Sequence, residues 1–269
     1  MKLRVRLRFS KLGKVRFTSQ RDVARMWERA LRRDRFPMAY SAGFSPRPQL
    51  SFGLALPTGC ESLAEYLDVA VDDRRPEVAE LDVAGCPERL GALLPDGLCV
   101  TAAAVLDGDR GSLQEDVTSC RWVLALAGAG RSEVDELVAG AMGAGCLPIV
   151  RQRKGRSTTD DLRPSIIALE VAGAEAGDGE DTLDLVAELA TRPRGVRPAE
   201  LMAALAAVRR PDGASPPAVG ENHGGPRVRR ACRTNQWIDC DGSRREPLPE
   251  AGGAARRPVS PASAWERAS

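Results

Sequence analysis

Arginines recur at helical spacing near the start of the chain, at Arg25, Arg29, Arg32 and Arg33. Side chains three or four positions apart lie on one side of an α-helix, so these four form a cationic stripe. A guanidinium is charged at all ordinary pH values, and its planar fork of N–H donors matches the oxygens of a phosphate. The spacing therefore predicts a surface that binds a polyanion such as a nucleic acid.

The loop that follows, residues 40–48 (YSAGFSPRP), combines aromatic rings with a further cation. Tyr40 and Phe44 could stack on unpaired bases while Arg47 contacts a phosphate, and the two prolines stiffen the loop. The alternative is that both rings pack beneath the loop as ordinary core. The sequence favours neither interpretation over the other.

The stripe needs a helix to carry it, and residues 19–33 have the pattern of one. Ser19 with Asp22 three positions later is a capping-box start. The apolar residues fall at i, i+3, i+4, i+7 and i+8, so the opposite side is predicted to be buried: Val23, Met26, Trp27, Ala30 and Leu31. Pro37 is predicted to end the helix.

The first strand has the same two-sided character. Hydrophobic residues from Leu3 to Phe9 alternate with Arg4, Arg6 and Arg8, which is typical of a strand with one buried and one cationic face. Charged residues also keep a strand from aggregating, and that explanation is sufficient for the strand taken alone. Beside the helical stripe and Arg47, however, the three arginines are expected to complete one exposed cationic surface.

The order of elements predicts the fold class. Residues 1–107 read as β-α-β-β-α-β, which indicates a ferredoxin-like domain. Residues 119–210 read as β-α-β-β-β-α, so we predict an α+β chain of tandem ferredoxin-like halves, the second imperfect. A second cationic patch is expected at its tip, comprising Arg151, Arg153, Lys154 and Arg156. Residues 211–269 are predicted to be mostly disordered, apart from a possible edge strand at 227–238.

Composition and charge indicate which kinds of functional site the chain can contain. The net charge of +2 conceals a basic start, with 14 Lys and Arg against 3 Asp and Glu in residues 1–50, and an acidic stretch, with 4 against 14 in residues 51–120. The seven cysteines are widely spaced, which argues against a disulfide scaffold, zinc ribbon or iron–sulfur loop. His223 is the only histidine and lies in the loose region, so histidine-based catalysis is not expected. We expect no metal, no cofactor, no membrane segment and a cytoplasmic location.

Several short motifs occur in an order typical of one bacterial family. They are residues 17–22 (FTSQRD), 28–33 (ERALRR), 40–48, 50–52 (LSF), 56–59 (LPTG) and 62–66 (SLAEY), with weaker matches at 154–155, 161–164 and 196–198. Together they resemble the radical-SAM-linked (radical-SAM-associated) family, a bacterial domain of unknown function. Such proteins are typically encoded beside or fused to a radical-SAM enzyme, often near a ribonuclease of the E/G type. The resemblance implies a radical-SAM enzyme as partner and an RNA context.

Two positions depart from that family, which commonly has His where this chain has Gln20 and Arg47. Any activity that those histidines carry in relatives is therefore not implied for this chain. The chain also has no Cys-x3-Cys-x2-Cys loop to hold a [4Fe–4S] cluster, so it is not itself the radical-SAM enzyme.

The leading hypothesis is a non-catalytic RNA-binding or substrate-presenting partner of a radical-SAM enzyme. Its nucleic-acid-binding residues would be Arg21, Arg25, Arg29, Arg32, Tyr40, Phe44, Arg47 and Lys154. One alternative is an RNA-processing enzyme analogous to tandem ferredoxin-like endoribonucleases, which would have to use Tyr40, Lys14 or arginines. Another is a protein–protein adaptor without RNA affinity that docks through the acidic residues 51–120. No catalytic residue is assigned.

Overall fold

The computed structural model describes residues 3–106, 111–153, 155–175, 182–211, 213–221, 224–240 and 242–248. They divide into two compact units: unit 1 contains residues up to 118 and from 233 onward, and unit 2 contains residues 119–232. Strands and helices occur in both units, so the predicted α+β class is confirmed.

Unit 1 is built on an antiparallel sheet with helices along its connections. In chain order its elements are β1 (Arg4–Lys11), α1 (Gln20–Arg33), β2 (Leu50–Phe52), β3 (Glu61–Ala70), α2 (Cys86–Gly91), β4 (Leu98–Leu106) and α3 (Leu113–Asp116), followed much later by β10 (Arg227–Cys240) and β11 (Ser243–Arg245). Strand β1 lies between β4 and β3, and both neighbours run antiparallel to it. Strand β2 also pairs with β3, and β11 with β10.

The register of β1 against β3 sorts the side chains into two faces. Val5 lies opposite Val69 and Leu7 opposite Leu67, and these residues join the hydrophobic core with α1. The ring centroids of Phe9 and the α1 residue Trp27 are 4.9 Å apart in an edge-to-face arrangement. The other face pairs Arg6 with Asp68 and Arg8 with Tyr66, so it is polar although it is largely buried.

Helix α1 begins and ends as the pattern of residues 19–33 predicts, although Pro37 is not what ends it. The Ser19 hydroxyl accepts a hydrogen bond from the backbone N–H of Asp22 at 3.2 Å. At the other end the N–H of Phe36 donates to the Leu31 carbonyl (3.0 Å) and that of Arg35 to the Arg32 carbonyl (3.2 Å), which is a Schellman motif. Arg35 occupies the left-handed position, with φ of 56°. The turn at Arg35 therefore stops the helix before Pro37 is reached.

Unit 2 does not repeat the element order of unit 1. Its elements are β5 (Ser119–Ala127), α4 (Arg131–Gly143), β6 (Pro148–Arg153), β7 (Arg156–Asp161), β8 (Ile166–Glu175), β9 (Thr182–Ala190) and α5 (Pro198–Val208). Strand β9 pairs antiparallel with both β5 and β8, while β6 and β7 form a separate hairpin. The sequence analysis missed β7 because its residues, RSTTDD, are mostly exposed and give no apolar alternation.

Strand β10 lies within the stretch predicted to be a mostly disordered tail. Its first six residues belong to unit 2 and the remaining eight to unit 1. Six consecutive residues from Ala231 to Gln236 are buried, so the strand is an integral part of the fold and not a loose edge. The part of the tail prediction that concerns residues 249–269 lies outside the described residues.

No helix in the described part of the chain is long and apolar enough to cross a membrane.

Candidate nucleic-acid interface

The arginines predicted on α1 all have exposed side chains. Arg25 lies 3.3 Å from Asp22, and Arg32 lies 4.0 Å from Glu28. The four side chains in these two ion pairs are between 37% and 56% exposed. Arg21 and Arg29 form no ion pair with any residue that the structure describes. Exposed ion pairs contribute little because water solvates both partners well, so these guanidinium groups remain available to a phosphate. The apolar side is buried as predicted, with Met26 half-buried.

The loop after α1 is a hydrogen-bonded hairpin. The N–H of Ser41 donates to the Arg47 carbonyl at 2.9 Å, and the N–H of Gln49 donates to the Ala39 carbonyl at 2.9 Å. The Ser41 hydroxyl accepts from the N–H of Arg47 at 3.0 Å. Gly43 has φ of +122°, a conformation that side chains rarely adopt, and it forms the bend just before Phe44.

Phe44 lies at the tip of this hairpin with its ring fully exposed. The alternative that Phe44 packs beneath the loop is therefore wrong. Tyr40 is 40% exposed and Arg47 is exposed, so the hairpin presents two aromatic rings and a cation to solvent.

Helix α1 and the hairpin are close neighbours along the chain. Residues 34–39 connect them and can span at most about 20 Å. The connection is anchored at both ends: Asp34 pairs with Arg89 at 3.2 Å, and the N–H of Ala39 donates to the carbonyl of Ala70, the last residue of β3, at 2.8 Å. The C-terminal end of α1 is thus fixed to α2, and the base of the hairpin is fixed to β3.

Arg6 and Arg8 of β1 do not join this surface, and the prediction that they do is wrong. Arg6 is 1% exposed and forms two hydrogen bonds with Asp68, at 2.6 and 2.7 Å, while its Nη1 donates to the Pro247 carbonyl at 2.7 Å. Arg8 forms two hydrogen bonds with Glu246. The partners come from positions far along the chain, so the alternation within β1 carried no information about them.

The second cationic patch is also partly neutralised inside unit 2. Arg151 pairs with Glu200 at 2.9 Å and with Asp160, both within the unit. Arg156 is exposed. Lys154 lies outside the described residues, as does the side chain of Arg153, so the structure places neither of them.

Phe17 is an exposed aromatic residue that the sequence analysis did not single out. It ends a short 3-10 helix, Gly13–Phe17. Its ring is 63% exposed, and the guanidinium carbon of Arg16 lies 4.7 Å from the ring centroid. The arrangement is a cation–π contact two residues before Ser19, the N-cap of α1. The ring lies at the end of the 3-10 helix that follows β1. A segment of five residues has no hydrophobic period from which its exposure could be predicted.

A buried ionisable cluster lies where β1 ends. The Lys11 ammonium donates to the Thr18 carbonyl at 2.9 Å, and burial lowers the pKa of Lys11. Burial also raises the pKa of Cys60 to about 11, so the thiol stays protonated and unreactive at neutral pH. Arg233 pairs with Glu65 at 2.6 Å. The Arg233–Glu65 pair ties β10 to β3, which is a structural role. The described residues contain no group of three His, Cys, Asp or Glu placed to hold a metal ion.

Comparison with solved structures gives only a distant likeness. A chain in the crystal structure of a Cbf5-Nop10-Gar1 complex matches with a TM-score of 0.43 and 11% sequence identity, over 86% of this chain and 48% of that one. This chain therefore spans about half the length of that one, and the likeness is too low to support a fold or a function. No curated protein matches the sequence.

Comparison with protein families gives a match over most of the chain. The family model described as "Uncharacterized protein conserved in bacteria (DUF2344)" matches residues 4–198. That range begins with β1 and ends at the first residue of α5, so it contains α1, the hairpin at 39–49 and the elements of unit 2 from β5 to β9. The chain belongs to this family of uncharacterised conserved bacterial proteins.

Proposed function

We propose that this protein binds single-stranded RNA without cleaving it, through the exposed arginines of α1 and the aromatic hairpin. The observation that carries the proposal is Phe44, a fully exposed ring at the tip of a hydrogen-bonded hairpin six residues beyond a helix with an arginine face. Arginines follow the phosphates, and exposed rings stack on bases. Stacking requires unpaired bases, so single strands fit this surface better than a duplex does.

Charge reversal on α1 tests the electrostatic part. Changing Arg25→Glu together with Arg29→Glu should abolish binding of a labelled single-stranded RNA while leaving thermal unfolding unchanged, because both side chains lie in solvent. Wild-type affinity should fall steeply as salt rises, since each neutralised phosphate releases counterion. The matched control is Arg192→Glu with Arg227→Glu, which makes the same change in net charge at two exposed arginines outside α1 and the hairpin. Absence of binding at low salt, or equal losses in both double variants, would refute the proposal.

Phe44 tests the stacking part separately. Phe44→Ala should weaken binding by about tenfold, since base stacking on an aromatic ring contributes about 1–3 kcal/mol. Phe44→Tyr keeps a ring and should retain most of the affinity. If both variants bind like the wild type, the hairpin does not contact RNA.

The same RNA samples, examined on a denaturing gel, test the alternative of an RNA-processing enzyme, because cleavage products would appear on incubation with the pure protein.

A radical-SAM enzyme is the proposed partner. Support comes from the motifs at 17–22, 28–33, 40–48 and 56–59, which resemble the radical-SAM-linked family. The protein would then present RNA or another substrate to that enzyme, in the cytoplasm. Affinity purification with nuclease treatment tests this: recovery of the enzyme with RNA bridging excluded supports direct contact. Recovery of the enzyme by a protein that shows no RNA affinity would instead favour an adaptor docking through the acidic residues 51–120.

The ferredoxin-like assignment is proposed for unit 1 only. Its first six strands and helices run β1-α1-β2-β3-α2-β4, and its sheet has β1 between β4 and β3 with β2 on the far side of β3. That order of elements and strands is the one expected of a ferredoxin-like sandwich. Unit 2 has a different element order and a separate hairpin, so a tandem repeat is not proposed.

A further inference from the structure

The carboxylate of Glu246 occupies a site lined by hydrogen-bond donors in unit 1. Arg8 donates to it from Nη1 at 2.7 Å and from Nη2 at 3.1 Å, and Asn235 donates from Nδ2 at 2.9 Å. A guanidinium fork with a neighbouring amide is an arrangement by which proteins bind carboxylate and phosphate groups. The side chains of Arg8 and Glu246 are 18% and 19% exposed, so solvent reaches the pair.

Donors around this carboxylate remain unused. Arg8 Nε and the hydroxyl of Tyr66 are buried and have no hydrogen-bond partner among the described residues. Tyr66 lies opposite Arg8 in the β1–β3 register, and the charges of Arg8 and Glu246 both act on its hydroxyl. A buried donor without a partner costs free energy. A phosphate group has more oxygens than a carboxylate, so it could accept from the Tyr66 hydroxyl in addition to the donors that Glu246 uses.

The charge balance makes Glu246 the replaceable partner. Arg6 on the same face is neutralised by Asp68, and both are almost fully buried. Among the residues that the structure describes, Glu246 is the one carboxylate that pairs with Arg8. The residues beyond Glu246 are held independently, because Pro247 accepts from Arg6 and Leu248 is buried. Rotation of the Glu246 side chain alone would therefore open the site.

We infer that Arg8, Tyr66 and Asn235 form a phosphate-binding site in which Glu246 is an internal, displaceable ligand. The site would take a phosphate group of the RNA that the proposed function assigns to this protein, and Glu246 would compete with it. The inference rests on the proposed function for the RNA source of the phosphate, whereas free phosphate tests the site independently.

Inorganic phosphate is the first probe, titrated against the full chain with thermal unfolding as the readout. Glu246→Gln removes the competing charge, so the phosphate concentration needed for half of the stabilisation should fall by about tenfold relative to wild type. The matched control, Glu80→Gln, removes an exposed carboxylate that makes no ion pair with the described residues and should behave as wild type. Adding Arg8→Gln to Glu246→Gln should abolish the gain. Equal midpoints in wild type and Glu246→Gln, or a gain that survives loss of Arg8, would overturn the inference.

Should Glu246→Gln fail to fold, Glu246→Asp provides the same test. Its carboxylate is one methylene shorter and cannot keep all three hydrogen bonds, so the phosphate midpoint should again fall, by a smaller factor. An unchanged midpoint in this variant would also overturn the inference.

RNA binding then separates the two proposals. If Glu246→Gln tightens RNA binding and steepens its salt dependence by about one phosphate contact, both proposals are supported. If phosphate stabilises Glu246→Gln more than wild type while no variant binds RNA, the site stands and the proposed function fails. If RNA binds through α1 and Glu246→Gln shows no gain with phosphate or RNA, the proposed function stands and the site fails.

Discussion

Strand β1 and helix α1 each carry a row of arginines, and the two rows have opposite fates. On β1, Arg6 is almost fully buried and bonded to Asp68, and Arg8 is held by Glu246. On α1, Arg21 and Arg29 lie in solvent without an ion pair among the described residues. The residue type is the same and both rows follow the period of their element. What differs is whether another part of the chain covers the row.

The comparison shows which arginines can serve a ligand. A buried guanidinium must be paired, because desolvating an uncompensated charge costs several kcal/mol. Once paired it stabilises the fold and is withdrawn from binding. An exposed guanidinium gains little from a neighbouring carboxylate, so it is available to a phosphate. The arginines of α1 are therefore the candidates for RNA contact, and those of β1 reach a ligand only where an internal partner can move away.

The largest expected effect comes from breaking the pair on β1. Asp68→Ala leaves Arg6 buried without its carboxylate and should lower the free energy of unfolding by about 3–5 kcal/mol in urea denaturation. Asp73→Ala, at an exposed carboxylate on the following turn, is the control and should change it by less than about 0.5 kcal/mol. A loss below about 1 kcal/mol in Asp68→Ala would show that the pair is not as buried as the structure places it.

Alkaline pH sharpens the contrast between buried and exposed groups. Burial raises the pKa of Cys60 to about 11 from an ordinary value of 9.0, so the unfolded thiol loses its proton between pH 9 and 11 while the folded thiol keeps it. The contribution of Cys60 to stability is therefore complete below pH 9. As the pH rises toward 11, the free energy of unfolding decreases by up to about 2–3 kcal/mol on account of this thiol. The free energy of unfolding, measured by denaturation at several pH values in this range, should fall less steeply with pH for Cys60→Ala than for wild type. Cys99→Ala, at an exposed cysteine, should follow wild type.

The end of α1 offers a smaller effect of opposite sign. Arg35 has φ of 56°, which a glycine adopts without strain, so Arg35→Gly should raise the free energy of unfolding by about 0.5–1 kcal/mol. Arg33→Gly places the same substitution in the last helical residue and should lower it by about 1 kcal/mol. The thermal midpoints of the two variants should move in opposite directions. Equal shifts would mean that the left-handed turn does not form.

The smallest expected effect is on the exposed row itself. Arg29→Ala should change the free energy of unfolding by less than about 0.5 kcal/mol, because the side chain lies in solvent on a helix that alanine also favours. Arg8→Ala, the corresponding change on β1, should cost more, since it leaves the partly buried carboxylate of Glu246 without its guanidinium partner. If both arginines tolerate the change equally well, the contrast between the two rows does not hold.

Local patterns in the sequence were read correctly where neighbours along the chain decide the outcome. The apolar period of α1, its Ser19 cap and strand β4 agree with the structure, since helix faces and caps depend on residues within one or two turns. Strand β10 was predicted to be at most an edge strand. Four of its buried residues are polar or charged, which is typical of a loop: Arg233, Thr234, Asn235 and Gln236. Their burial depends on contacts with β3, more than 160 positions earlier: Gln236 donates to Ala64 and Arg233 to Glu65.

The candidate interface divides in the same way. The arginine stripe of α1 follows from the sequence alone, because the helical period puts its cations opposite its apolar residues whatever else the chain does. Exposure of Phe44 and withdrawal of Arg6 and Arg8 were decided by tertiary structure, which set what lies over each side chain. The physical reason is range: a periodic pattern fixes the direction of a side chain relative to its own element, whereas pairing a buried charge requires a partner that only folding brings near.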